Sequence, residues 1–207
     1  IVPSRPATAS ERRHTGATGK ARAPDEELAS ELGAVTSPPV ADLVRATNVP
    51  SDNFLAEMLL KRLGADFGGG RGTTGAGAQV VLNTLGGHGV TPRIVDGSGL
   101  SRSNRTTPRE VVRLLEHMEG QPAARVWRRS LAVAGRSGTI KDRMRGTPAA
   151  GRCRGKTGTI IGVSNLVGVC DTPGGRVAFA WLMNRVEPFG ARRVQDRMTA
   201  ALARYSG

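Results

Sequence analysis

The sequence predicts an α+β chain, in which helices over about residues 36–120 precede three antiparallel strands and a C-terminal helix. Apolar residues recur at helical spacing over 54–63 and again over 111–118, which is typical of helices that bury one face. β-Branched and apolar residues then dominate 160–183, interrupted by turn-forming residues, which is typical of antiparallel strands. At 207 residues, 38% of them hydrophobic, the chain can bury one core.

The N-terminal residues have a different composition from the rest of the chain. Residues 1–27 contain Arg, Ala, Ser, Thr, Gly and Pro without an aromatic residue or a period, which predicts a disordered tail or linker remnant. Residues 28–207 are then the folded part. A first helix is predicted from Ser37, as an N-cap with Pro38 and Pro39 in the first turn.

Two further helices are defined by their capping residues, with a glycine-rich segment between them. The stretch Ser51 to Asn53 is typical of an N-cap before the 54–63 helix, which Gly64 is predicted to end. Residues 68–77 spell G-x-G-x-x-G but follow a helix rather than a strand, so they predict a flexible loop and not a dinucleotide site. Thr107 with Glu110 predicts a capping box.

Lys156 lies in the first of the predicted strands. A hairpin follows it, 171–175 forms a turn, and 177–183 forms a strand that is apolar on both faces. The Lys156 strand is therefore predicted at or near an edge of the sheet. The last helix is predicted over Arg192–Arg204, with Val194, Met198 and Leu202 packed on the sheet.

The charge and composition argue against several kinds of protein. The net charge is +13, but 26 of the 30 basic residues are Arg and only 3% of residues are aromatic, so a solvated basic surface is favoured over a nucleic-acid site. No apolar run is long enough for a transmembrane helix. The three histidines show no ligand spacing, and neither a metal nor a cofactor is expected.

Two cysteines flank the predicted hairpin almost symmetrically. Cys153 and Cys170 could form a disulfide if the strand register brings their Cα atoms close enough, or they could remain two separate thiols. The sequence leaves both alternatives open.

Two short motifs stand in the order found in penicillin-binding proteins and serine β-lactamases: S-x-N at Ser51 to Asn53 and K-T-G at Lys156 to Gly158. The sequence around these motifs resembles the DacB-type, or penicillin-binding protein 4 type, D-alanyl-D-alanine carboxypeptidase/endopeptidase family over roughly 28–206. The segments that carry this resemblance include 96–101, 107–108 and 138–141. The resemblance implies a transpeptidase-like fold, a serine-type peptidase of peptidoglycan stem peptides that also binds β-lactams, and an exported protein of the cell envelope.

The family's third motif, S-x-x-K, is absent from this chain: no serine is followed three residues later by lysine. We therefore expect the C-terminal portion of such an enzyme, inactive by itself.

The resemblance also implies roles for six residues that should converge on one cleft. Ser51 would relay protons, Asn53 would hold the substrate carbonyl, and Lys156 would supply positive potential toward the substrate carboxylate. The residues implied to bind substrate are Thr157, Gly158 and Thr159, with the Thr159 N–H as half of an oxyanion hole. The alternatives are an inactive remnant or wall-binding module and a basic nucleic-acid-binding domain.

Overall fold

The computed structural model describes residues 35–207, so the predictions for 1–27 and 28–34 lie outside the described residues. It separates Ile1–Pro39 from the compact unit Val40–Gly207, and the account below concerns that second unit. The elements confirm the α+β class: α1 (Val40–Asn48), α2 (Asn53–Phe67), α3 (Thr74–Gly86), α4 (Pro108–Glu119), α5 (Ala124–Ser130), β1 (Ala132–Val133), a 3₁₀ turn (Gly138–Ile140), β2 (Cys153–Ile160), β3 (Val163–Thr172), β4 (Gly175–Asn184) and α6 (Pro188–Leu202).

The four strands form one antiparallel sheet in the order β1-β2-β3-β4. The predicted hairpin and the strand after it are confirmed, with Lys156 opposite Val167 in the register of β2 and β3. The short β1, which the sequence did not predict, pairs only with Arg154 and Gly155. From Lys156 onward, β2 is therefore an edge strand within the described part of the chain.

The core lies against the sheet face that carries Cys153, Leu166, Cys170 and Phe179, with Trp181 at its margin. The two cysteines are cross-strand partners and are joined in a disulfide, which decides between the alternatives that the sequence left open. The bond links β2 to β3 three residues before Lys156.

Helix α6 differs from its prediction in both its start and its buried face. It begins at Pro188, because Glu187 caps it by accepting from the Phe189 and Gly190 N–H groups. The predicted face was right only for Leu202, which packs against the core; Val194 and Met198 are 37% and 36% exposed, while Gln195 and Thr199 are fully buried.

Those two polar side chains are buried because each has a hydrogen-bond partner on the sheet. Gln195 Nε2 donates to the Ser164 carbonyl at 2.9 Å, and Trp181 Nε1 donates to Thr199 Oγ1 at 3.1 Å. Burying a polar group costs little free energy when the group is hydrogen-bonded. Hydrogen bonding, rather than apolar content, therefore determines which face of α6 is buried.

The predicted end of α2 at Gly64 was wrong, since the helix continues to Phe67. A Cβ at Gly64 would lie 2.7 Å from the Gly77 nitrogen, and one at Gly77 would lie 1.9 Å from the Leu60 carbonyl oxygen. Both glycines therefore allow α2 and α3 to touch backbone to backbone. The predicted loop over 68–77 is shorter than expected: residues 68–73 lie outside the helices, but α3 already begins at Thr74.

The remaining helix boundaries follow local rules. Helix α1 begins at Val40 instead of Ser37. The Thr107–Glu110 capping box is confirmed, with both reciprocal hydrogen bonds present. Between α3 and α4, Arg93 and Arg105 form one isolated antiparallel bridge. No helix among residues 35–207 is long and apolar enough to cross a bilayer.

Candidate active site

Ser51 lies in the turn between α1 and α2 with a left-handed backbone, φ 66°. The Asp52 N–H donates to the Thr47 carbonyl at 2.8 Å and closes this turn. The Asp52 side chain in turn accepts from the Leu55 N–H at 2.8 Å, which makes it the N-cap of α2. A left-handed serine costs about 1 kcal/mol or more and persists only where the surroundings impose it, as at many functional sites.

The 3₁₀ turn supports this segment from the other side. Gly138 has φ 59°, and a Cβ there would lie 2.3 Å from the Val49 carbonyl oxygen, so only glycine allows the approach. The Thr139 N–H then donates to that carbonyl at 3.3 Å. The turn that holds Ser51 is thus fixed by backbone contacts on both sides.

Lys156 reaches Ser51 from β2 across 105 positions of sequence. Its Nζ donates to Ser51 Oγ at 2.5 Å and to the Thr157 carbonyl at 2.7 Å. No carboxylate forms a salt bridge with Lys156 among residues 35–207. Burial lowers the pKa of the Lys156 amine, because the charged form loses solvation without gaining a counter-ion.

Thr157 and Thr159 direct their backbone groups to the open side of β2. Because the Asp171 N–H donates to the Arg152 carbonyl, hydrogen-bonded pairs with β3 fall on even-numbered β2 residues. The odd-numbered residues therefore point their N–H and C=O groups away from β3. The Thr157 hydroxyl donates to Thr139 Oγ1 at 2.9 Å.

One open cleft of about 1480 Å³ contains all the residues whose roles the resemblance implied. Asn53 is exposed at the first turn of α2. Its side chain makes no hydrogen bond within the described part of the chain, whereas Ser51 and Lys156 bond directly. The six residues with implied roles that line this cleft are Ser51, Asn53, Lys156, Thr157, Gly158 and Thr159.

The loop over 96–104 forms the opposite wall, and Glu57 of α2 anchors it. Glu57 Oε2 accepts from the Gly97 N–H at 2.7 Å and the Ser98 N–H at 3.3 Å, while its Oε1 accepts from the Thr74 hydroxyl. The Thr74 hydroxyl and these two backbone N–H groups lower the pKa of the Glu57 carboxyl. At neutral pH an ionised carboxylate therefore holds the wall.

The loop is also closed on itself and joined to the sheet. Asp96 accepts from the Ser101 N–H at 2.8 Å and from Asn104 Nδ2 at 2.8 Å. Arg102 Nη2 donates to the Ile161 carbonyl at 2.9 Å, which connects the loop to the β2–β3 turn. The cleft is thus bounded by α2, this loop and the β2 edge.

Two contributors to the site had no role in the sequence-based assignment. Glu57 follows Asn53 by one helical turn, so its position on the same face of α2 was a usable signal. Thr139 lies in the 138–141 segment, which carries part of the family resemblance. No local sequence pattern there indicates that Thr139 accepts a hydrogen bond from Thr157 of β2.

The chain is similar to several known proteins. The family model described as D-Ala-D-Ala carboxypeptidase 3 (S13) matches residues 12–205. The chain is 44% identical over 165 residues to a D-alanyl-D-alanine carboxypeptidase of Actinomadura sp. (strain R39), covering 76% of this chain and 30% of that protein. It is 33% identical to carboxypeptidase DacB of Mycolicibacterium smegmatis, covering 83% and 39%.

The fold is found in solved structures as well. Penicillin-binding protein 4 (dacB) of Haemophilus influenzae, solved with a β-lactam, superposes with a TM-score of 0.72 at 25% identity, covering 81% of this chain and 42% of that one. A β-lactamase from Sphaerobacter thermophilus superposes with a TM-score of 0.58 at 23% identity, covering 83% and 65%, which shows the fold alone. The chain spans 30% and 39% of the length of the two curated relatives given above. On the family match, this chain belongs to the D-Ala-D-Ala carboxypeptidase 3 (S13) family.

Proposed function

We propose that this chain supplies the S-x-N and K-T-G side of the active site of a serine-type D-Ala-D-Ala carboxypeptidase/endopeptidase. The observation that carries the proposal is the hydrogen bond from Lys156 Nζ to Ser51 Oγ, between two motifs 105 residues apart. Neither an inactive remnant nor a basic binding module requires that contact. The nucleophilic serine and its lysine partner would come from an S-x-x-K segment, which these 207 residues do not contain.

Ser51 and Lys156 together form a proton relay in this proposal. A hydroxyl can accept one proton and donate another at the same time. The Lys156 amine donates to Ser51 Oγ and thereby orients a lone pair of the serine oxygen toward itself. As the tetrahedral intermediate collapses and its C–N bond breaks, Ser51 would give its hydroxyl proton to the departing D-Ala amine and take up in exchange the proton that the nucleophile lost on attack. The lowered pKa of Lys156 suits this role, because it brings the amine nearer to a proton-exchanging range than an exposed lysine.

The β2 edge would bind the substrate as an added strand. Odd-numbered residues offer backbone groups on the open side, so an extended stem peptide could pair there. The Thr157 and Thr159 hydroxyls with the Lys156 amine would hold its terminal carboxylate, and the Gly158 backbone allows close approach. The Thr159 N–H would donate to the developing oxyanion, and Asn53 would hold the acyl-side carbonyl.

The place of action follows from the substrate. A peptidase of peptidoglycan stem peptides works on the outer side of the cytoplasmic membrane, so we propose an exported protein of the cell envelope. The same cleft would take β-lactams, whose ring-borne carboxylate and strained amide match the groups offered to D-Ala-D-Ala.

A chimera tests the proposal. Residues 40–207 would replace the matching portion of the Actinomadura carboxypeptidase, whose own N-terminal portion would be retained. We expect covalent labelling by fluorescent penicillin and release of D-Ala from a D-Ala-D-Ala peptide, while the 207-residue chain alone should not be labelled.

The controls separate chemistry from folding. Ser51→Ala and Lys156→Ala should each lower peptide turnover by at least about a hundredfold, in the range expected for loss of general acid–base catalysis. Arg109→Gln, on the exposed side of α4, should leave turnover unchanged. A chimera that melts cooperatively but neither binds penicillin nor releases D-Ala would refute the proposed function.

A further inference from the structure

Six arginines line a second cavity, of about 230 Å³, between α5 and the end of the sheet away from the candidate active site. Its lining, which we call the arginine pocket, also includes Val169 and Asp171, and none of its residues is aromatic. Arg154 precedes Lys156 by two positions on β2, so it projects from the same sheet face but lies outside the catalytic cleft. The six arginines are Arg125, Arg128, Arg129, Arg152, Arg154 and Arg176.

The carboxylates near the pocket neutralise only part of this charge. Glu119 Oε2 accepts from Arg128 at 2.7 Å and from Arg176 at 3.1 Å, and Asp171 Oδ1 accepts from Arg176 at 2.7 Å. Six guanidinium groups thus face two carboxylates, an excess of four positive charges. Guanidinium groups stay charged at any physiological pH, so the pocket cannot relieve this repulsion by losing protons.

Three of the arginines keep their donors available for a ligand. Arg125, Arg129, Arg152 and Arg154 form no salt bridge with another residue of 35–207, and of these Arg152 uses a donor on the Asp171 carbonyl. They approach the pocket from two directions, Arg125 and Arg129 from α5 and Arg154 from β2. Donors that converge from two walls can surround an anion rather than touch one side of it.

The chemistry of the pocket selects a phosphate group. A phosphate carries roughly −1.5 to −2 charge as a monoester and offers several acceptor oxygens, which the planar fork of arginine binds in bidentate fashion. The cavity has about the volume of eight waters, enough for a phosphate group with its ester oxygens. Without an aromatic side chain the pocket cannot stack a base, so a single-stranded nucleic acid is disfavoured.

We propose that the arginine pocket is a binding site for phosphate groups, either free phosphate or the phosphodiester units of an envelope polymer such as poly(glycerol phosphate). The proposal does not depend on the proposed peptidase function, since it concerns different side chains and can be measured without turnover.

Isothermal titration calorimetry of the 207-residue chain at low salt tests the site with three probes at equal phosphate concentration. The probes are inorganic phosphate, poly(glycerol phosphate) and a single-stranded oligodeoxynucleotide. We expect saturable binding of the first two that weakens as salt screens the charges. Tighter binding of the polymer per phosphate would identify the polymer as the source, and equal binding would identify free phosphate.

Matched arginine variants locate the binding. Arg129→Gln and Arg154→Gln should each weaken phosphate binding about tenfold, the effect of one charge-assisted contact. Arg71→Gln and Arg109→Gln remove the same charge from exposed positions outside the pocket and should change binding less than about twofold. Thermal melts of all four variants establish that they fold.

Three results would overturn the proposal: no saturable phosphate binding, equal losses in pocket and control variants, or tighter binding of the oligodeoxynucleotide than of the polymer.

Discussion

Replacing Glu57 tests whether one carboxylate holds the loop wall of the cleft. Glu57→Ala leaves the Gly97 N–H, the Ser98 N–H and the Thr74 hydroxyl without their acceptor. The site is part-buried, so water can replace some of the loss, and each orphaned donor should cost about 1 kcal/mol. We expect Glu57→Ala to lower the free energy of unfolding by about 2–3 kcal/mol in urea denaturation, and amide exchange over 96–104 to accelerate.

Glu57→Gln separates hydrogen bonding from charge. The glutamine oxygen can still accept from Gly97 and Ser98, and the Thr74 hydroxyl can rotate to accept from the new amide. We therefore expect a loss of only about 1 kcal/mol at pH 7, because the charge-assisted strength is gone but no donor is orphaned. Glu116→Ala, an exposed site on α4 without a side-chain hydrogen bond in the described chain, should stay within about 0.5 kcal/mol of wild type.

Acid titration gives the same interaction an independent signature. The pKa of Glu57 is lower in the folded chain than its usual 4.5, so its ionisation stabilises the fold above pH 4.5 and that stabilisation is lost as the pH falls through the folded pKa. The stability gap between wild type and Glu57→Gln should therefore narrow on acidification below pH 4.5. A gap that stays constant, or a glutamine variant as unstable as the alanine variant, would refute the role of the carboxylate.

Three further outcomes follow from other contacts. In an NMR titration of the four lysine side chains, Lys156 should titrate below 10.5, and stability should rise with pH between its folded pKa and that value; titration alongside exposed lysines would contradict its burial. Gly77→Ala should cost at least about 3 kcal/mol by forcing a Cβ into an α2 carbonyl, whereas Gly75→Ala, with open space around it, should stabilise α3 by up to about 1 kcal/mol. Replacing both Cys153 and Cys170 by serine should lower the free energy of unfolding by about 3 kcal/mol, and an unchanged urea midpoint would count against the disulfide.

The strands and the capping box could be predicted because their signals are local. β-Branched runs separated by turn residues fix β2, β3 and β4, and Thr107 with Glu110 fixes the start of α4 through two bonds within four residues. The helix packing could not be predicted in this way. A glycine at position 64 is typical of a helix end, but its actual role is to let the backbone of α3 approach α2. That contact is between distant parts of the fold, so the sequence near Gly64 does not indicate it.

The buried face of α6 shows a second limit. An apolar stripe through Val194 and Met198 suggested the wrong side, because Gln195 and Thr199 find partners in Ser164 and Trp181 only after the sheet has formed. The candidate site lies between these cases. Motif order and the family resemblance brought Ser51 and Lys156 together, whereas nothing in their spacing implies that they touch.

The contact between Lys156 and Ser51 also has a consequence for how the chain folds. The β2–β3 and β3–β4 hairpins close over turns of two residues each, whereas the lysine and the serine are separated by 105 positions. Closing a chain segment of that length costs roughly 3/2 RT ln n in entropy, about 4 kcal/mol, so local hairpins can form well before it. We expect the sheet to be a platform already present in early folding species, with the α1–α2 turn arriving last. During refolding, Lys156 and Ser51 should then come together more slowly than secondary structure forms. Their proximity would report completion of the native topology, whereas the far-ultraviolet circular dichroism signal would recover before that step.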